Sequence, residues 1–210
     1  MKTILLGSLI TTASAAALLL SGTVSADTTT LNDGTNNADI QVNGTLGADN
    51  TDPSAPIPEG SDKWINVTVD TATIFYNTST STDITSPSYS IKNNSGRPVN
   101  VKVNSFTQKD NVPLTSIGAL NLNLTRSKTA SNPAATSTTA LISKGALTTD
   151  YSSAATTTLA NGAGQLSSSD AKGAFSNTGT FGYSGNVTSK LSSVINPTFT
   201  MNLIFSAGSL

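Results

Sequence analysis

Residues 99–106 read VNVKVNSF, and this stretch alternates strictly between apolar and polar side chains over its first six positions. In an extended chain the three valines share one face, and the residues between them point the other way. A two-residue period is typical of a half-buried β-strand. The preceding stretch SPSYSIKNN (86–94) continues the alternation through Tyr89 and Ile91, and NNSGRP (93–98) supplies turn residues between the two. The sequence therefore predicts a β-hairpin over residues 88–106.

The same period recurs along the chain. It is seen in WINVTVDTATIFY (64–76), ALNLNLTR (119–126), GAFSNTGTFGYSGNV (173–187) and NPTFTMNLIFSAGSL (196–210). Stretch 64–76 predicts one long strand, or two strands broken near Asp70. The last stretch predicts a final strand that closes the sheet. Repeated strands separated by turn residues, with no convincing amphipathic helix, predict an all-β fold, an antiparallel β-sandwich of immunoglobulin-like or jelly-roll-like type.

Residues 127–170 are rich in alanine, serine and threonine and have only weak periodicity. They predict long Ser/Thr-rich loops, with short elements around 139–148 and 154–160. The phase of the strands also predicts which side chains face the core. These are Val67, Val69, Val101, Val103, Leu122, Phe199, Met201 and Leu203.

The N-terminus resembles an export signal. Residues 1–26 begin with Lys2, continue through an apolar stretch and end in Val24-Ser25-Ala26, a small-residue cleavage site. We expect cleavage between Ala26 and Asp27, which leaves a chain of 210 − 26 = 184 residues. That chain contains no second apolar run near the roughly 20 residues that span a bilayer. The expected location is therefore extracellular, secreted or at the cell surface, with no membrane insertion after cleavage.

Residues 27–60 differ in composition from the rest of the chain. In the stretch ADIQVNGTLG (38–47), Ile40, Val42 and Leu46 fall on alternate positions and predict one strand. Three prolines in 53–58 then predict a stiff, extended linker. The predicted organisation is a signal peptide (1–26), an N-terminal extension (27–60) and a sandwich domain (61–210). A strand on such a tether can pair within its own domain or with the exposed edge of a neighbour, and the sequence favours pairing within its own domain.

Several functional classes are disfavoured by composition. The chain contains no cysteine and no histidine, so it lacks disulfides, thiolate nucleophiles and the commonest general base. Without Lys2, 10 basic residues stand against 12 acidic residues, so the net charge is −2 and no nucleic-acid footprint is visible. We therefore expect a non-enzymatic protein without a cofactor. Catalysis by a pair of aspartates stays open as the least favoured alternative.

Trp64, the single tryptophan, is the candidate binding residue. An exposed indole could stack on a sugar ring or anchor a partner protein. The competing interpretation is structural, with the ring covering one end of the sandwich. The sequence leaves both open and favours the structural one.

Three stretches carry a resemblance to a known group of proteins. VNGTLGADNTDPSAPIPEGSDKWINVTVDTATIFY (42–76), SPSYSIKNNSGRPVNVKVNSF (86–106) and PTFTMNLIFSAG (197–208) resemble small secreted proteins associated with WxL-domain surface proteins of Gram-positive bacteria of the lactic-acid and enterococcal type. The Trp-x-Leu signatures themselves are absent. The resemblance implies a cell-surface protein whose partners are peptidoglycan or other surface proteins. The alternative is a structural subunit that uses N-terminal strand exchange in a surface assembly.

Overall fold

The computed structural model of the chain describes residues 49–210. The predicted signal peptide, the cleavage site at Ala26 and Asp27, and the predicted strand at 38–47 lie outside these residues. The described part contains one 3-10 helix, Asp62–Trp64, and ten strands: β1 Val67–Val69, β2 Asp83–Ile84, β3 Tyr89–Asn93, β4 Val99–Gln108, β5 Ile117–Arg126, β6 Ala135–Ser143, β7 Ala146–Leu147, β8 Thr157–Leu159, β9 Thr178–Val187 and β10 Phe199–Ala207. Within it, no helix is long and apolar enough to cross a membrane.

The strands form two antiparallel sheets that pack against each other. The larger sheet has seven strands in the order β1-β3-β9-β5-β6-β7, and β2 also pairs with β9. The smaller sheet has the order β10-β4-β8. All described strand pairs are antiparallel. The predicted all-β antiparallel sandwich is therefore confirmed.

The core follows the predicted alternation. Val101 and Val103 of β4 face Leu122 of β5 across the two sheets, and all three are buried. The other predicted core residues are half-buried and pack against this cluster; they are Val67, Val69, Phe199, Met201 and Leu203. They are less covered because β1 and β10 are edge strands, which have a neighbouring strand on one side only.

The predicted hairpin over 88–106 is wrong. β3 lies in the seven-stranded sheet and pairs with β1 and β9, whereas β4 lies in the smaller sheet. The connection between them crosses from one sheet to the other. Asn93 holds it there, because its buried side-chain amide donates hydrogen bonds to the carbonyls of Arg97 and Ala160, both at 2.8 Å. The turn residues at 93–98 therefore make an inter-sheet connection.

Of the two alternatives predicted for 64–76, the single long strand is wrong; the chain does break at Asp70, but no second strand follows within 71–76. Only Val67–Val69 forms a strand, and Trp64 belongs to the 3-10 helix before it. After Asp70 the chain leaves the sheet and returns for one isolated bridge between Tyr76 and Thr85. The Asp70 carboxylate accepts a hydrogen bond from the Ser90 amide at 2.7 Å, so it takes part in ending the β1–β3 pairing.

A regular strand occupies part of the region that was predicted to be mainly loop. β6 runs over Ala135–Ser143 and pairs along its length with β5. Its sequence, ATSTTALIS, is rich in threonine, which favours strands through its β-branch but adds little to an apolar periodicity. The short strands β7 and β8 fall within the predicted elements at 139–148 and 154–160.

The segment at 50–60 is folded onto the domain and is not an extended linker. The Gly96 amide donates a hydrogen bond to the Asn50 carbonyl at 2.7 Å, and the Arg97 guanidinium donates one to the Pro53 carbonyl at 2.8 Å. The Arg97 side chain also forms an ion pair with Glu59. The prolines are tolerated because this segment is a succession of turns, where proline costs no ladder hydrogen bond.

Candidate functional site

Trp64 lies in the interior of the protein. Its side chain has no exposed surface, and its indole nitrogen donates a hydrogen bond to the Pro58 carbonyl at 3.1 Å. The Arg97 guanidinium carbon lies 4.2 Å from the centre of the ring. An indole in this position cannot stack on a sugar ring or contact a partner. The exposed-aromatic hypothesis is therefore corrected: the Trp64 ring is buried between Arg97 and the chain at Pro58.

A large apolar groove lies between the edges of the two sheets. One wall is formed by the end of β1 and the chain that follows it, residues 69–77. The other wall is formed by residues 191–198 and by β10. The groove has a volume of about 1310 Å³, which exceeds the roughly 300–1,000 Å³ of ordinary small-molecule pockets. Its size and open shape fit an extended chain better than a compact ligand.

Aromatic side chains form the floor of the groove. The rings of Phe75 and Tyr183 have centroids 5.7 Å apart, and those of Phe75 and Phe199 are 6.0 Å apart. Phe199 stacks on Phe106 at 4.7 Å. The Tyr183 hydroxyl is 2.8 Å from the Thr73 hydroxyl, and burial raises the pKa of Tyr183 above its ordinary value. Phenol ionisation is thus disfavoured, and the floor stays neutral.

The rim of the groove exposes large apolar side chains. Ile74 is 62% exposed, Tyr76 is 50% exposed and Val194 is 84% exposed. All three belong to the groove lining, in which Asp70 is the one charged residue. Its carboxylate already accepts the Ser90 amide. Apart from this hydrogen-bonded carboxylate the lining is uncharged, and exposed apolar surface of this kind is costly to leave in water and typical of interaction sites.

The two strands beside the groove have unpaired edges. Among the described strands, β1 pairs only with β3, and β10 pairs only with β4. On either side of β1, the Asn66 carbonyl accepts a hydrogen bond from the Asn94 amide, and the Asp70 amide donates to the Ser90 carbonyl, both toward β3. The alternation of an antiparallel ladder then points the backbone groups of Val67 and Val69 toward the free side. These edges can pair with an added strand.

A second surface, the polar face, covers the outside of the seven-stranded sheet. Ser90, Thr180, Thr125 and Thr136 stand opposite one another on four neighbouring strands. The hydroxyls of Thr125 and Thr136 are 2.8 Å apart. Three further members, Asn123, Thr138 and Ser184, are linked by hydrogen bonds of 2.8 Å. This face is an ordered array of hydroxyl and amide groups.

Sequence reasoning identified the side chains of the groove floor in part but missed the groove itself. The alternation places Phe75 and Phe199 on core-facing positions, yet nothing local shows that the chain opposite them leaves the space between the sheets open. The exposed apolar residues at 74, 76 and 194 were the available signal, because the alternation puts Ile74 and Tyr76 on the face opposite Phe75.

Comparison with family models, curated proteins and solved structures gives no match for this chain.

Proposed function

We propose that this chain is an exported, non-enzymatic cell-surface protein that binds other surface proteins by taking an extended segment into its apolar groove. The observation that carries the proposal is the combination of an uncharged aromatic floor with two unpaired strand edges. Export is supported by the features of residues 1–26, and a surface role by the resemblance to WxL-associated proteins.

Addition of a strand from a partner would use both the apolar floor of the groove and the unpaired strand edges beside it. An extended peptide can hydrogen-bond to a free strand edge, while every second side chain enters the space between the sheets. Burial of the exposed parts of Ile74 and Val194 would then be favourable by roughly 25 cal/mol for each Å² removed from water. Since the groove lining is uncharged apart from Asp70, the preferred segment is uncharged and carries aliphatic side chains at alternate positions.

A peptide titration tests this function. The probe is an uncharged ten-residue peptide with alternating valine and threonine, and the control peptide has the same composition with the valines in one block. We expect only the alternating peptide to bind, measured by fluorescence polarisation. The variant Val194→Asp should weaken binding on the order of tenfold, because it places a charge against apolar side chains. Equal binding of both peptides, or an unaffected Val194→Asp variant, would argue against the groove as the site.

The polar face favours a second candidate function, attachment to the glycan of the cell wall. A flat array of neutral hydroxyl and amide groups suits a neutral sugar polymer, which offers the same groups for hydrogen bonding. Retention on purified peptidoglycan is the test. We expect Thr180→Glu to reduce retention, whereas Val194→Asp at the groove should leave it unchanged. Retention that is lost only with Val194→Asp would assign wall binding to the groove instead.

A further inference from the structure

We infer that the segment which fills the groove is Ala38–Gly47 of a second copy of this chain. The inference rests on the proposed function and names the partner of the same site. Three observations favour it: the chemistry of the segment, the length of the segment, and the position at which the described chain begins.

The chemistry of the segment matches the groove. Ile40, Val42 and Leu46 occupy even-numbered positions, so an extended chain presents them on one face. The intervening positions include Gln41 and Asn43, which would face solvent. Asp39 is the one charged residue of the segment, and it stands near one end. The apolar face of this segment therefore carries no charge into a groove whose lining is uncharged apart from Asp70.

The length of the segment matches the edge that it would join. Ten extended residues span roughly 33 Å, at about 3.3 Å per residue. The nine residues of β10, Phe199–Ala207, span roughly 30 Å on the same basis. One segment can thus run along the whole free edge of β10 while its aliphatic side chains meet the floor formed by Phe75 and Phe199.

The start of the described chain favours a second copy as the source. The side chain of Asn50 accepts a hydrogen bond from that of Asn66 at 3.1 Å. The Asn94 side chain donates hydrogen bonds to the side chains of both Asn66 and Thr68. Thr68 points to the face of β1 opposite the core-facing Val67 and Val69, because side chains alternate along a strand. The contact between Asn50 and Asn66 is therefore on the outer side of β1. The groove opens on the inner side.

The end of the space between the sheets that lies nearest to Asn50 is also closed. The 3-10 helix Asp62–Trp64 contacts β10 there, and its Trp64 side chain is fully buried. A path from Asn50 into the groove of the same molecule would have to cross the edge of β1. A second copy avoids this crossing. Donor segment and acceptor groove are different surfaces, so two copies that exchange segments form a closed dimer, and copies that do not exchange them reciprocally extend head to tail.

Disulfide trapping in the full chain tests the inference, since the described residues contain no cysteine and the sequence has none. Two preparations of the protein are mixed: the Val42→Cys variant, and the Ile74→Cys variant with a tag that makes it distinguishable by size. We expect a mixed disulfide dimer on a non-reducing gel. As a control, a Thr138→Cys chain carries its thiol on the polar face and should give no such product with Val42→Cys.

Association in solution supplies the second measurement. Sedimentation of the unmodified protein should show dimers or larger oligomers whose fraction of the protein grows with concentration. Val42→Asp should abolish them, and the matched Gln41→Asp variant should retain them. A protein that stays monomeric at all concentrations overturns the inference, as does a Val42→Cys/Ile74→Cys double variant that cross-links only within one chain. If the alternating peptide still binds in that case, the proposed function survives while this inference fails.

Discussion

The guanidinium carbon of Arg97 lies 4.2 Å from the centre of the Trp64 ring. The same guanidinium donates hydrogen bonds to the Glu59 carboxylate, at 2.8 and 3.0 Å from Nε, and to the Pro53 carbonyl. The hydrogen bond from Arg97 lowers the pKa of Glu59 and so favours its charged form. One nearly buried cation thus ties residues 53–64 to the connection between the sheets.

Trp64 is expected to be the most important single side chain of this end of the sandwich. Replacement by alanine should lower the free energy of unfolding by roughly 3–5 kcal/mol, because a large buried side chain is lost and a cavity is left. Tyr76→Ala, at a half-exposed aromatic, should change it by no more than about 0.5 kcal/mol. Chemical denaturation measures both. Similar losses in the two variants would contradict the buried position of Trp64.

The two leucines that the alternation places in the core should differ in their contribution. Leu122 is fully buried, so Leu122→Ala should cost roughly 2–5 kcal/mol in unfolding free energy. Leu203 is half-buried at the groove, and we expect Leu203→Ala to cost less than about 2 kcal/mol because little cavity forms there. Ile204→Ala on the outer side of β10 serves as the control. A larger loss at position 203 than at 122 would mean that the groove is filled.

Asn93 should hold the two sheets together through its side-chain amide. Asn93→Ala removes the donors to the buried carbonyls of Arg97 and Ala160, and each lost partner costs roughly 1–3 kcal/mol. The neighbouring Asn94→Ala removes only hydrogen bonds to the side chains of Asn66 and Thr68, and should cost less than about 1 kcal/mol. Equal denaturation midpoints for the two variants would exclude this role for Asn93.

Asp110 should make the free energy of unfolding depend on pH under acidic conditions. Hydrogen bonds from Thr198 and then Gln108 lower the pKa of Asp110 from 3.8 to about 2. Because the folded pKa lies below the unfolded one, the stabilisation is fully present above pH 3.8 and is lost as the pH falls toward 2. We expect the thermal midpoint to fall less steeply over this range in Asp110→Asn than in the unmodified protein. Parallel curves would show that other carboxylates dominate.

The sequence by itself determined the class of the fold and the faces of its best strands. In β4 and β5 the alternation of Val101, Val103 and Leu122 with polar residues admits only one buried face, since side chains of a strand alternate strictly. The same reasoning located β10 and its half-buried face. It failed at β6, where threonine supports a strand without adding apolar contrast.

Only the tertiary structure decided which strands pair and what becomes buried. The alternation within β3 and β4 is the same whether the two strands pair in one sheet or lie in different sheets. Which of these arrangements forms depends on groups far away in the chain, such as the Ala160 carbonyl that accepts a hydrogen bond from Asn93. Trp64 is buried because Arg97 and Glu59 bring residues 53–64 onto the domain, a contact that no short window of sequence contains. The groove has the same origin: it is a gap between two sheet edges, and pairing between strands far apart in the chain sets where those edges lie.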